Sequence, residues 1–190
     1  MGVNEKTGLQ FVDEDEASPE LALAYGEIKR AMHVPFVPNI YKALAASPGA
    51  FQVYVATSRA MFEHITLPEA IVSIVMYAVA RSNDCVYCSA GHEASCRMMG
   101  IDESVLRDVA HNLQNVSPER VRAIVEFALL IAHDPKGVTF DDFERLRTFG
   151  VSDAEIVELI LIAGLGHMGD TLADSLKVEV DVPDNEMLVQ

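Results

Sequence analysis

Cys85-Val86-Tyr87-Cys88-Ser89-Ala90-Gly91-His92 gathers three side chains capable of thiol chemistry into one short run. Such chemistry proceeds through the thiolate, whose fraction at neutral pH is set by its surroundings. On the first turn of a helix, unsatisfied backbone N–H groups and the positive end of the helix dipole favour S⁻. A spacing of three places Cys85 and Cys88 on one face of that turn, within reach of a disulfide after modest adjustment. His92, four residues beyond Cys88, is spaced to bring its imidazole to the Cys88 thiol as a base. The pattern therefore predicts that Cys88 attacks a peroxide or disulfide and that Cys85 closes the bridge. The bland reading makes both thiols small core hydrophobes and His92 a partly buried helix residue. Two cysteines at a helix start with a histidine one turn on favour the redox reading.

Zinc is the rival chemistry, because adding Cys96 completes a four-donor run of Cys85, Cys88, His92 and Cys96. On one straight helix Cys85 and Cys96 stand ~16 Å apart along the axis. A tetrahedral ion with ~2.3 Å sulfur bonds cannot span that distance. Ala90, Glu93, Ala94, Arg97, Met98 and Met99 favour helix over a folded-back knuckle. The expectation is no metal and no cofactor, with Cys96 packed in the interior. Covalent haem attachment is excluded by Ser89, where a histidine would have to follow Cys88.

The elements that must position these residues read as helices. Ser18-Pro19 offers an N-cap followed by proline, opening a helix to about His33. The Pro35 to Pro38 stretch breaks it, and a short helix through Ile40, Tyr41, Leu44 and Ala45 follows. Ser47-Pro48 opens the next, ending near His64. Thr66-Leu67-Pro68-Glu69 has the capping-box pattern. The helix after it, Ala70 to Ala80, is apolar all round and should be buried on every side. Asp84 is placed to cap the cysteine helix, and Gly100 to close it. Asp102, Ser117-Pro118-Glu119, Thr139 and Ser152-Asp153-Ala154-Glu155 signal further helices, the last running towards Leu176 with Gly164 and Gly166 as weak points. A likeness between Pro68–Val75 and Asp153–Ile160 suggests a duplicated helical hairpin, although capped apolar helices resemble one another in any case. Short loops between amphipathic helices predict an all-α bundle. The expected organisation is a flexible acidic leader over 1–17, one domain over 18–178 and a loose tail over 179–190.

With 190 residues and 50% hydrophobic content, the chain can bury a sizeable core. A net charge of −15 argues against a nucleic-acid partner, which requires clustered Lys and Arg. The first ten residues lack an apolar signal region, and no apolar run of spanning length is free of polar or charged residues. Three cysteines cannot all pair within one chain, so a reducing compartment is expected, and with it a soluble, cytoplasmic protein without a membrane partner.

These residues together resemble the alkyl hydroperoxidase D / carboxymuconolactone decarboxylase family, in particular its peroxidase-related members. The likeness is strongest over Thr66 to Gly100, where Asn83-Asp84-Cys85-Val86-Tyr87-Cys88 and His92 stand at the family spacing. Phe36-Val37-Pro38-Asn39, Ser47-Pro48 and Leu172-Ala173-Asp174-Ser175-Leu176 support it. The resemblance implies an all-α fold of helical hairpins, assembly into homo-oligomers, and thiol peroxidase or disulfide reductase activity without a cofactor. It assigns Cys88 as peroxidatic, Cys85 as resolving and His92 as proton relay, with a hydroperoxide as substrate and a dithiol or lipoyl-type reductant. One departure stands out: the family's histidine-orienting glutamate falls at Ser73. A hydroxyl carries no charge for an imidazolium, and Glu69, one turn earlier, is the substitute if it is not occupied in its capping box. Two other readings stay open. One is a decarboxylase acting on a cyclic lactone acid; the other is a non-catalytic redox-sensing oligomer weakened by Ser73.

Overall fold

The computed structural model describes residues 2–182. Nine α-helices dominate these residues: α1 Pro19–Met32, α2 Asn39–Leu44, α3 Pro48–His64, α4 Glu69–Ser82, α5 Val86–Met98, α6 Glu103–His111, α7 Glu119–His133, α8 Phe140–Thr148 and α9 Asp153–Ser175. Among the described residues the only strands are β1 Gly2–Val3 and β2 Gln10–Phe11, paired antiparallel. The expected all-α class is the observed one.

The architecture centres on α4. This helix buries Ile71, Val72, Ser73, Ile74, Val75, Tyr77, Ala78, Val79 and Ala80, so neighbours surround it, as its all-round apolar sequence requires. Its partners are α5, α7 and α9. Leu159 and Ile162 of α9 are fully buried in the same cluster as Val72, Val75 and Val79. Burial of this kind contributes about 1.5–3 kcal/mol for each large aliphatic side chain.

The glycines in α9 do not weaken it, since the helix runs unbroken from Asp153 to Ser175. Gly166 faces α4, where an added Cβ would lie 3.3 Å from both Met76 Sδ and Val79 Cγ1. Its missing side chain lets two backbones approach, which offsets the ~1 kcal/mol that glycine costs a helix relative to alanine. By length and composition α9 is able to cross a membrane, but Ile156, Leu159, Ile162, Ala163, Gly166 and Ala173 are buried inside the fold, as in a core helix.

Two capping expectations are corrected. Pro68, not Thr66, is the N-cap of α4, and no side chain closes that end. The Thr66 amide and hydroxyl and the Leu67 amide instead donate to Glu158 of α9, at 3.0, 2.9 and 3.0 Å. A carboxylate from another helix outcompetes Glu69, which stays exposed. Asp84 does not cap α5 either. It takes a left-handed φ of 56°, which aspartate tolerates better than most residues. The capping boxes at Thr139 and Ser152 are both present.

Residues 2–17, expected as a flexible leader, touch the helical body here. Tyr25 donates to the Val12 carbonyl at 2.8 Å, Val37 N–H donates to Glu14 at 2.9 Å, and Asn4 donates to the Leu176 carbonyl at 3.2 Å. Of the expected loose tail, residues 179–182 are described and Asp181 accepts the Asn39 amide; residues 183–190 lie outside the described residues.

Candidate active site

The turn between α4 and α5 sets the position of the dithiol. Asp84 N–H returns to the Arg81 carbonyl and Cys85 N–H to the Ala80 carbonyl, the paired bonds of a Schellman ending with Asp84 as its left-handed residue. Cys85 is thereby locked at the end of α4 and serves also as the N-cap of α5, its Sγ accepting the Cys88 amide at 3.4 Å. Cys85 is fully buried and Cys88 half-buried, and neither is in a disulfide. The sequence expectation of two thiols on the first turn thus holds, with a half-buried cysteine beside a sealed one.

The third group is Asp170, from α9. A carboxylate oxygen of Asp170 and the two sulfurs all lie within 4.8 Å of one another. Asp170 is only 3% exposed. Asn83, the C-cap of α4, donates its amide to Asp170 Oδ2 at 2.7 Å and lies 3.2 Å from His167 Nδ1. Among the described residues Asp170 Oδ1 has no hydrogen-bond partner.

These surroundings reverse one electrostatic expectation. The Cys88 thiol is held above the ordinary thiol range, first by hydrogen bonding with the Cys85 thiol, then by burial and the adjacent Asp170 carboxyl. Burial also raises the Asp170 carboxyl, against the opposing pull of the Asn83 amide and the Cys88 thiol. The helix N-terminus does favour S⁻, but the Cys85 hydrogen bond, burial and the acidic neighbour together outweigh it. Cys88 rests as a thiol and must lose its proton as it reacts.

His92 does not join the cluster that the two cysteines make with Asp170. No hydrogen bond joins it to either cysteine among the described residues, and it is not part of the cluster within 4.8 Å. Burial pushes its imidazole down to about 4, so it is neutral at physiological pH. The Ser73 hydroxyl donates to Met99 Sδ at 3.4 Å. Glu93 pairs with Arg97 at 2.7 Å. Cys96 is fully buried in a separate cluster with Tyr77, Leu106 and Val125, its thiol pushed up to about 12 by burial, which agrees with its expected interior role.

Asp170 was missed at the sequence level, yet a signal was there. Ile162, Ala163, Gly166, Gly169 and Ala173 form one buried stripe of α9, and Asp170 falls within it. A carboxylate on an apolar stripe is a candidate functional group. Tyr54 of α3 and Tyr87 of α5 belong to the apolar cluster that holds both cysteines. Burial, then Tyr41, Cys88 and Asp170, push the Tyr54 phenol up.

In shape the chain is similar to a peroxidase-related protein from Ralstonia eutropha JMP134 with an alkylhydroperoxidase AhpD core, at TM-score 0.80 and 24% identity over 89% of each chain. Its residues 48–128 match the carboxymuconolactone decarboxylase family. The chain has the alkylhydroperoxidase D-like fold. A peroxidase-related protein from Silicibacter sp. TM1040 is also similar, at TM-score 0.79 and 21% identity over 100% of this chain and 99% of that one. So is the debrominase Bmp8, solved in complex with 2,3,4-tribromopyrrole, at TM-score 0.79 and 13% identity over 93% and 92%. No curated protein matches the sequence. The family segment contains both cysteines and His92 but ends before α9, so Asp170 reaches the dithiol from outside it.

Proposed function

We propose that this protein belongs to the carboxymuconolactone decarboxylase family, which its residues 48–128 match, and is a thiol-dependent peroxidase and disulfide oxidoreductase. The observation that carries the proposal is a half-buried Cys88 beside a sealed Cys85, with an unpartnered buried carboxylate oxygen next to them. Cys88 attacks the outer oxygen of a hydroperoxide as its proton passes to Asp170. The O–O bond breaks, Cys88 becomes a sulfenic acid, and the proton leaves with the alcohol. The Cys85 thiol then attacks Cys88 sulfur, forming the disulfide and releasing water. A dithiol of the lipoyl type returns two hydrogens and becomes the disulfide in its turn. In this cycle Asp170 takes the proton-accepting role that spacing alone had assigned to His92.

The decarboxylase alternative has less support. An anionic lactone acid needs cationic partners, whereas the group that meets the two sulfurs is an acid, Asp170, held by the neutral Asn83 amide. A reducing cytoplasm is the compartment proposed for the cycle, since the dithiol must be restored after each turnover. Nucleic acid and membrane are not among the proposed partners.

Sub-stoichiometric hydroperoxide added to the reduced protein is expected to remove two hydrogens from the peptide carrying Cys85 and Cys88, read by mass spectrometry. No disulfide under mild peroxide would sink the proposal. Disulfide formation that no dithiol donor can reverse catalytically would favour the redox-sensing alternative.

A homo-oligomer is proposed as well. Val157 and Leu161 on the outer stripe of α9 are 66% and 51% exposed, with Ile160 beside them. An apolar stripe of this kind is expected to be covered by a second copy. Light scattering should return a multiple of the chain mass; a monomer at micromolar concentration would refute this.

A further inference from the structure

The three groups at the dithiol share a property that proton transfer alone does not require. Two sulfurs and a carboxylate oxygen converge within 4.8 Å, supplied by the α4–α5 turn, the first turn of α5 and the middle of α9. Two of the three residues are sealed from solvent: Cys85 is 0% exposed and Asp170 3%. One carboxylate oxygen is occupied by Asn83, and the other has no partner. A buried polar atom without a hydrogen bond costs about 1–3 kcal/mol unless something satisfies it.

From this geometry we propose that Cys85, Cys88 and Asp170 form a binding site for a thiophilic divalent cation, Zn²⁺ by its chemistry, which the reduced chain takes up and the oxidised chain cannot hold. The donor set is two sulfurs and one oxygen, a mixture that tetrahedral zinc accepts at about 2.3 and 2.0–2.2 Å. Ligand atoms that lie within 4.8 Å of one another close around such an ion by small side-chain rotations. Cys88 supplies the half-open side, where water takes the fourth position. The Cys88 amide already donates to Cys85 Sγ at 3.4 Å and so holds that sulfur in place. Asn83 fixes the carboxylate from behind, as outer-shell partners of metal ligands do.

This set differs from the four-donor run read along the sequence. Cys96 lies in another cluster and His92 is outside the group, so α5 alone does not build the site; α9 completes it. Uptake is an exchange without redox change: the ion enters, both thiols become thiolates, and two protons leave to solvent, with a third if Asp170 was carrying one. With both sulfurs bound to the ion, Cys88 has no free thiolate for a peroxide. The regulatory part of the inference therefore rests on the peroxidase reading, whereas the binding part does not.

The test uses the full reduced chain, stripped with a chelator and titrated with Co²⁺ as a spectroscopic probe and then with Zn²⁺ as competitor. A thiolate-to-cobalt charge-transfer band that saturates at one ion per chain is expected, lost in Cys85→Ser and in the disulfide form. Asp170→Ala is expected to weaken binding at least ~10-fold, in line with the effect of losing metal-site partners, while Cys96→Ser leaves it unchanged. Absence of the band in the wild-type chain would overturn the proposal, as would an Asp170→Ala variant that binds as tightly as wild type. Peroxide oxidation is measured separately in chelator. Disulfide formation there without any cobalt band keeps the peroxidase reading and removes this one. A cobalt band in a chain that peroxide cannot oxidise does the reverse. If both hold, Zn²⁺ should slow Cys88 oxidation in proportion to site occupancy.

Discussion

Asp170→Asn, assayed in the presence of chelator, is expected to slow oxidation of Cys88 by hydroperoxide ~10²–10³-fold, within the range that positioned acid–base groups contribute. The reason lies in the resting state of the nucleophile. Hydrogen bonding with Cys85, burial and the adjacent carboxyl all hold Cys88 as a thiol, so its reactive form depends on a base at hand. Asp170 is within 4.8 Å of the sulfur and keeps one carboxylate oxygen unpartnered. Asparagine preserves shape and can still accept from Asn83 but cannot take a proton. Asp174→Asn, at an exposed carboxylate one turn along α9, should change the rate little. Stopped-flow thiol loss, with thermal unfolding as the check on structure, measures both variants. A rate for Asp170→Asn within threefold of wild type would remove the carboxylate from the proposed cycle.

The two cysteine variants are expected to fail in different ways, and the asymmetry of their burial is the cause. Cys88→Ser should leave the chain inert to mild peroxide, because Cys85 is fully buried and out of reach. Cys85→Ser should consume one equivalent of peroxide and stop, with Cys88 trapped as a sulfenic acid that a dimedone-type reagent captures. Steady-state turnover with a dithiol donor is expected to be lost in both, a fall of at least ~10³-fold, as for removal of a catalytic nucleophile. Cys96→Ser, altered in a different part of the core, should keep turnover. Sustained turnover in Cys85→Ser would mean that the donor attacks the Cys88 sulfenic acid directly, and Cys85 would lose its resolving role.

An outer carboxylate on the preceding helix is the other place where expectation and structure diverge. Ser73 stands where the resemblance implies a glutamate, but its buried hydroxyl donates to Sδ of the partly exposed Met99. A glutamate placed there would bury a charge beside a thioether, so gain of activity is no longer the expected result of Ser73→Glu. The carboxylate has in effect a different source, α9.

Local physics made much of this protein legible without coordinates. Ser18-Pro19, Ser47-Pro48, Thr139 and Ser152 each open a helix because their side chains or backbone preferences act within a turn of themselves. The all-round apolar run of α4 dictated a central buried helix, and Cys85 and Cys88 came together through a spacing that the helix itself sets. Where the competing partner was distant in sequence, the outcome lay beyond local reasoning. Thr66 lost its capping box to Glu158, ninety-two residues away. His92 was assigned by spacing, yet the cysteines meet Asp170, which only the packing of α9 beside α4 and α5 delivers. Spacing along one helix determined which sulfurs could pair; burial between three helices decided their protonation and the group that faces them.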